Sequence, residues 1–183
     1  MDKEEFLRYL ASASQTALEE LAFKTVRDSS YSEFLKLLIT KQFVSNPLNH
    51  KGQTLLHCAV ICNNVIAVDI LLDLRFDPND TDDEERTALH FAVVNGVHHQ
   101  IISMLIKNNA DINAKTERME TPLFLACSFN NVKAVELLLQ NKNCDINFPN
   151  DIGQEPKYIA YKNNNKEIIS LLQDFFENNK ITE

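Results

Sequence analysis

The sequence predicts an all-α fold, an α-solenoid of about four to five helix–turn–helix repeats with hairpin loops. One phrase, TLLHCAVICN at 54–63, recurs as TALHFAVVNG at 87–96, TPLFLACSFN at 121–130 and, in a degenerate form, EPKYIAYKNN at 155–164. A small residue inside the phrase keeps intervals of 33, 34 and 34, at Ala59, Ala92, Ala126 and Ala160. A constant register of this length is typical of stacked structural repeats.

The register divides the chain into segments. An asparagine recurs at Asn79, Asn113 and Asn147, and the same frame extended upstream reaches Asn46, which indicates a degenerate unit before the first clear one. Residues 2–27 have a helical pattern. The predicted segments are an N-terminal helical segment at 1–17, a degenerate repeat at 18–50, full repeats at 51–83, 84–117 and 118–151, a C-terminal capping repeat at 152–176 and a tail at 177–183.

Each repeat is predicted to have a short first helix, a turn, a longer second helix and an extended loop. The first helix is rich in small residues (HCAV, HFAV, FLAC), which lets neighbouring helices approach closely. The second has apolar residues at helical spacing, for example Val65, Val68, Leu71 and Leu72. The turn between them holds only residue types that tolerate a left-handed backbone, at Asn63, Gly96, Asn130 and Asn164.

Composition narrows the classes of function. The length of 183 residues suits one domain, and 44% hydrophobic with 24% charged residues is ordinary for a globular protein. A net charge of −8 disfavours direct nucleic-acid binding and favours basic partners. Apolar runs are too short to span a membrane, and the acidic start MDKEEFLRYL is unlike a secretion signal. We therefore expect a monomer in the cytoplasm, with the nucleus as an alternative.

The recurring boxes resemble the ankyrin-repeat pattern, G-x-T-P-L-H-x-A-A followed by V-V-x-L-L-L and G-A-D-x-N, over about 50–175 and more loosely over 18–50. GQTLLHCAV, ERTALHFAV with NNADINA, and METPLFLAC with CDINF carry the match. Glu85 and Met119 replace the opening glycine, and Phe124 and Tyr158 replace the histidine. The resemblance implies that the Thr and His of each box form a hydrogen-bonded brace, and the predicted structural residues are Thr54, His57, Thr87, His90 and Thr121.

The chemistry-bearing residues do not form a catalytic pattern. Cys58 and Cys62 share a helical face, but a zinc site needs two more converging ligands, so the four cysteines are interpreted as core thiols. His98 and His99 fall in an exposed turn, and three glycines cannot build a phosphate-binding loop. We predict no catalytic residue, no metal, no cofactor and no small-molecule substrate, hence a protein that is not an enzyme.

The resemblance also places a protein-binding face, because ankyrin contacts lie at hairpin tips and on the first helix, two and three residues after its alanine. Counting from each alanine gives an apolar stripe of Ile61, Cys62, Val94, Asn95, Ser128 and Phe129. The tips add an acidic rim of Asp83, Glu84, Arg86, Glu117 and Glu120. The predicted partner is a protein with an apolar anchor flanked by Lys or Arg.

Inhibition or scaffolding is the predicted outcome of that binding. Two narrower analogies follow from the resemblance. TLLHCAVICNN, FDPND and GQEPKYIAY are similar to stretches of I-kappa-B type inhibitors of Rel/NF-kappa-B transcription factors, including truncated viral versions that modulate a host. Small ankyrin inhibitors of cell-cycle kinases, also four or five repeats long, are the other analogy.

Overall fold

The computed structural model describes residue 8 and residues 12–28, 48–94 and 96–180. The described residues form nine helices and contain no strand, so the all-α prediction is confirmed for them. The helices are α1 (Gln15–Arg27), α2 (Leu55–Ile61), α3 (Val65–Asp73), α4 (Ala88–Val94), α5 (His99–Lys107), α6 (Pro122–Ser128), α7 (Val132–Leu139), α8 (Pro156–Lys162) and α9 (Lys166–Lys180). None of them combines the length and apolar character that a membrane crossing needs.

Two compact units divide the chain, Met1–Asp77 and Pro78–Glu183. In the first unit α1 packs on α2 and α2 on α3. In the second unit the first helices α4, α6 and α8 pack in succession, and the second helices α5, α7 and α9 do the same. Helix–turn–helix pairs of this kind bury their small and branched residues against the next pair, as fully buried Ala92, Leu105 and Ala126 illustrate.

Helix α1 corrects the predicted boundary between residues 17 and 18. It begins at N-cap Ser14 and continues without a break to Arg27, so the boundary falls inside a helix. The Asn64 side chain donates to the Val26 carbonyl oxygen (3.0 Å), and Asn131 makes the same bond, over the same 38 residues, to Val93 (2.8 Å). Val26 is therefore equivalent to Val93: each lies in the first helix of the repeat that precedes the asparagine. Helix α1 thus serves as the first helix of the degenerate unit. Asn46 and the rest of 29–47 lie outside the described residues.

Helix α9 corrects the other end. It extends to Lys180, so residues 177–180 are helical and do not belong to a tail that starts at 177. The sequence after Phe176, ENNK, contains neither Gly nor Pro, and nothing in it stops a helix that is already anchored by buried Ile168 and Leu172. The described part of the capping unit thus runs to 180.

The turn prediction is confirmed. Asn63, Gly96, Asn130 and Asn164 all have left-handed backbone angles, with φ between 52° and 58°. Glu85 and Met119, which replace glycine in the hairpin loops, adopt φ 58° and 59°, as Gly52 (68°) and Gly153 (78°) do. The hairpin geometry is therefore kept even where the residue type disfavours it.

The cysteine interpretation is right for three residues and wrong for the fourth. Cys58, Cys127 and Cys144 are buried free thiols, and burial raises the pKa of Cys58 to about 11 and those of the other two to about 12. Cys62 is exposed, because it caps the end of α2 and α2 buries only the residues before Ile61.

Candidate functional site

The box histidine His90 is held by hydrogen bonds on both ring nitrogens. The backbone N–H of Thr87 donates to Nδ1 (3.0 Å), and the Thr87 hydroxyl lies 3.0 Å from the same atom. Because Nδ1 accepts, Nε2 carries the proton and donates to the carbonyl oxygens of Ala114 and Glu120, both at 3.1 Å. The ring thus ties the start of α4 to the next hairpin loop, and it is almost fully buried.

Burial also sets the charge of this ring. Loss of solvent lowers the pKa of His90 from 6.5 to about 4, and its hydrogen bonds to backbone carbonyls oppose the shift only in part. The ring is therefore neutral near pH 7, as a structural brace requires. In the first unit Thr54 and His57 form the same capping arrangement, with the Thr54 N–H donating to Nδ1 at 3.1 Å. Thr121 caps α6 by accepting from the Phe124 N–H (3.2 Å).

Each hairpin tip is built on one short polar side chain that the sequence reasoning missed. Its oxygen accepts from the backbone N–H groups two and four residues later, at 2.8–3.3 Å. We call these residues the tip anchors: Asn49, Asp82, Thr116 and Asn150. Each lies five residues before a box-opening position, and short side-chain acceptors are typical of tight turns, so this spacing was the available signal.

The predicted rim residue Arg86 is occupied within its own hairpin. Its guanidinium pairs with Asp82 (2.7 Å) and Glu84 (3.1 Å) and lies 4.7 Å from the ring centre of Phe91. Burial raises the pKa of Asp82, but hydrogen bonds from Arg86 and from the backbone of Arg86 and Glu84 outweigh it, so the pKa is lowered. Arg86 thus stabilises the tip and partly neutralises Glu84.

Neighbouring tips of the second unit are joined through their main chains. The Glu117 N–H donates to the Glu84 carbonyl oxygen (3.1 Å), and the Asp151 N–H donates to that of Arg118 (3.0 Å). The bonds bring the predicted rim residues Glu84 and Glu117 into one row. Asp83 and Glu117 are exposed there, whereas burial and nearby Asp151 raise the pKa of half-buried Glu120 against the opposing effect of Arg118.

A groove of about 370 Å³ lies beside this row of tips, between α6 and α8. We call it the tip groove. Phe124 and Ile159 contribute apolar surface to it. The complete lining is Arg118, Glu120, Phe124, Ser128, Asn150, Asp151, Ile152, Gln154 and Ile159. A cleft with a mixed polar and apolar lining can accept a side chain of another polypeptide.

The structure brings only some of the predicted stripe to this groove. Ser128 lines it, and Phe129, the next residue, is 57% exposed. Val94 is half-buried in α4, and Asn95 lies outside the described residues. Ile61 and Cys62 are exposed at the end of α2 in the first unit. Ile152, 71% exposed on the last tip, was missed because that unit was interpreted only as a cap.

No metal-binding cluster of three or more His, Cys, Asp or Glu residues occurs within the described ranges. His98 and His99 are exposed, with ring centres 5.1 Å apart. Their turn therefore offers two imidazoles to solvent and no converging third ligand among the residues described.

The sequence pattern of ankyrin repeats (3 copies) matches residues 22–116 and 114–182. The chain belongs to the ankyrin-repeat family. The match begins inside α1, in agreement with its place as the first helix of the degenerate unit. The chain is an all-α ankyrin-repeat solenoid.

Curated relatives include the human "Transient receptor potential cation channel subfamily A member 1", 32% identical over 136 residues, which are 74% of this chain and 11% of the channel. A putative ankyrin repeat protein of fowlpox virus is 38% identical over 94 residues (49% of the chain, 28% of the relative). Dog inversin is 32% identical over 105 residues (57% and 10%). The chain spans about a tenth to a third of the length of such relatives.

Ankyrin repeats are protein–protein interaction modules, and the family is generally non-enzymatic. Stacked repeats suit this task because exposed positions can vary while the buried ones keep the stack intact. This ankyrin-repeat chain is therefore a module for binding proteins.

Proposed function

We propose that the chain acts as an inhibitor or scaffold by binding a basic and apolar segment of a partner protein at the tip groove. The observation that carries the proposal is Phe129, a large aromatic side chain that is 57% exposed and directly follows the groove residue Ser128 in the chain. Water disfavours such exposure, and aromatic side chains with one free face often dominate the energy of a protein interface.

A second apolar side chain supports the same site. Ile152 is 71% exposed and lines the groove from the last hairpin tip. The partner would place an apolar side chain against Ile152, and Ile152 and Phe129 would then lose solvent contact. Burial of apolar surface contributes about 25 cal/mol per Å², so covering these exposed side chains would favour association.

Charge selects the flanks of the partner segment. Asp83, Glu117 and Asp151 are exposed on the row of tips, and Glu84 is only partly neutralised by Arg86. The chain as a whole carries −8. Lys or Arg on either side of the apolar anchor would meet this row, which speeds encounter and rejects acidic segments.

Binding of this kind covers a segment of the partner, and covering is sufficient for inhibition or for scaffolding. We propose a cytoplasmic monomer, with the nucleus as an alternative site of action. An acidic surface that attracts basic segments is compatible with either compartment, since both contain proteins with exposed Lys and Arg.

The test is a pair of variants measured on a partner isolated with the tagged full chain and identified by mass spectrometry. Phe129→Ala and the double variant Asp83→Lys, Glu84→Lys should each weaken binding by about tenfold or more, with the melting temperature nearly unchanged. Tyr161→Ala is the matched control, because Tyr161 is exposed to a similar extent (49%) but neither lines the tip groove nor directly follows or precedes a residue that does. A large loss of melting temperature in Phe129→Ala with binding intact would assign Phe129 to packing.

An I-kappa-B type inhibitor of a Rel/NF-kappa-B factor is the narrower form of the proposal. The acidic row supports it, because such a row would cover a basic nuclear-localisation segment. The chain should then bind a Rel-type dimer, compete with its DNA and lose affinity as salt rises. A host-modulating role belongs to this narrower proposal, and the chain has relatives named as putative ankyrin repeat proteins in fowlpox virus and Rickettsia felis. Failure to bind a Rel protein would leave the general module, or a kinase inhibitor of the ankyrin type.

A further inference from the structure

Two asparagines of the second unit hold the loop of the following repeat by its main chain. Asn79 donates from Nδ2 to the Asn109 carbonyl oxygen (3.0 Å) and accepts at Oδ1 from the Asp111 N–H (2.6 Å). Asn113 does the same with Asn143 (2.7 Å) and Asp145 (2.9 Å). Each side chain therefore recognises a carbonyl and, two residues later, an amide. We call this arrangement the asparagine clamp.

Asn147 is the third asparagine in this register, and its clamp is open. Its backbone N–H donates to Asp145, as that of Asn113 donates to Asp111, so the two residues stand in the same local turn. The Asn147 side chain is exposed and has no hydrogen-bond partner among the described residues. The chemistry that recognises a peptide loop is thus present a third time, and no loop occupies it among the described residues.

The surface beside Asn147 is partly apolar. It forms a groove of about 350 Å³, here called the end groove, lined by Ile146, Asn147, Glu155, Lys157, Leu172, Gln173, Phe176 and Glu177. Gln173 donates to the Tyr161 hydroxyl oxygen (3.2 Å), which places that ring at its border. Tyr158 and Tyr161 are 52% and 49% exposed, whereas the equivalent Phe124 and Cys127 of the preceding repeat are 3% and 0%.

We propose that Asn147 and the end groove bind a loop of a different protein, of the type Asn-x-Asp-Ile-Asn in which x is small and apolar. The two filled clamps define this chemistry, because both hold such a loop: Asn109–Asn113 and Asn143–Asn147. Of the two isoleucines in clamped loops, Ile112 is 5% exposed and Ile146 is half-buried. In the end groove, Phe176 and Ile146 are the apolar side chains that the isoleucine of a bound loop would contact.

This site is separate from the proposed partner site. The tip groove and the end groove share no lining residue, and the tip groove needs an apolar side chain while the clamp needs a main chain. Either proposal can fail while the other holds, because Phe129 belongs to the first and Asn147 to the second.

The probe is a head-to-tail cyclic peptide with residues 107–115 of this chain, Lys-Asn-Asn-Ala-Asp-Ile-Asn-Ala-Lys, titrated into the ¹⁵N-labelled full chain. We expect shifts of the Asn147 side-chain amide and of Gln173. Asn147→Ala should weaken binding about tenfold, the loss expected for two hydrogen bonds. Methylation of the peptide's Asp111 nitrogen removes the donor for Oδ1 and should weaken binding several-fold, whereas Phe129→Ala in the protein should leave it unchanged.

Three results would overturn the proposal. One is no shift at millimolar peptide. Another is a shift around Ser128 that Asn147→Ala does not alter, since the peptide would then occupy the tip groove. The third is concentration-dependent dimerisation that Asn147→Ala abolishes, because the occupant would then be a second copy of this chain.

Discussion

A single buried imidazole shows how a residue that looks catalytic serves the fold. His90 lies in an apolar environment with all its hydrogen-bonding capacity used by Thr87 and by two carbonyls of the next hairpin loop. No proton is available for transfer, because moving one would leave a buried polar group unpaired. The neutral form is therefore the only one that suits the site.

The pH dependence of stability should report this ring. The folded pKa of about 4 lies below the ordinary 6.5, so the unfolded chain binds the proton first as pH falls. The contribution of neutral His90 to the free energy of unfolding is complete above pH 6.5 and is lost progressively between pH 6.5 and about 4. Below about pH 4 this contribution no longer changes with pH. The difference amounts to about 3 kcal/mol, at about 1.4 kcal/mol per pKa unit.

Urea unfolding at pH 7 and pH 4 measures this effect when wild type and His90→Phe are compared. The variant carries the residue found at the equivalent Phe124. It should be less stable than wild type at pH 7 by about 1–3 kcal/mol, through unpaired buried groups, and this difference should close or reverse at pH 4, where wild type has lost about 3 kcal/mol. Equal gaps at both pH values would show that His90 does not titrate as described.

Left-handed residues at the hairpin tips store a small strain. Met119 has φ 59° and is 39% exposed, so replacing it with glycine removes backbone strain and little packing. Met119→Gly should raise the free energy of unfolding by about 0.5–1 kcal/mol. Gly153→Ala is the reverse control. Gly153 has φ 78°, and an added Cβ meets no atom within 4 Å, so the substitution adds only backbone strain and should lower the free energy of unfolding by about 1 kcal/mol. A loss of stability in Met119→Gly would mean that its side-chain contacts outweigh the strain.

For the loops between helices, the asparagine clamps predict that the same substitution has different effects on stability in successive repeats. Asn113→Ala removes two bonds to the loop of the next repeat and should lower the free energy of unfolding by about 1–2 kcal/mol. Asn147→Ala, the same substitution one repeat later, should change it by less than about 0.5 kcal/mol. Thermal melts of the two variants provide the comparison, and equal losses would contradict the open clamp.

Much of the helix and turn pattern could be predicted because the repeat shows each structural position four times in the sequence. The turns at Asn63 and Asn130 followed from residue type alone. The start of α1 and the end of α9 could not be located, since a terminal unit has fewer constraints and helix boundaries there depend on packing. The tip groove was found only in part, because Ile152 and Ile159 become neighbours of Ser128 through the fold.

For the whole molecule, repeats that are unstable alone should give a helical far-ultraviolet spectrum and cooperative thermal unfolding. A helical spectrum is expected because all the regular secondary structure of the described residues is helical. Circular dichroism at 222 nm against temperature measures both properties. A spectrum dominated by β-sheet would contradict the fold, and a gradual, featureless melt would contradict the mutual dependence of repeats.

The tip anchors have a consequence for the evolution and engineering of such chains. Asparagine, aspartate and threonine at Asn49, Asp82 and Thr116 hold the same backbone with one oxygen atom each. The backbone hydrogen bonds of the tip therefore form whether the anchor side chain is neutral or charged. Thr116→Asp would add, and Asp82→Asn would remove, a formal charge at a buried tip position that keeps its backbone acceptor, and Asp82→Asn would also remove the 2.7 Å ion pair with Arg86. Single substitutions can thus change the electrostatic preference of the molecule stepwise, with the architecture held constant.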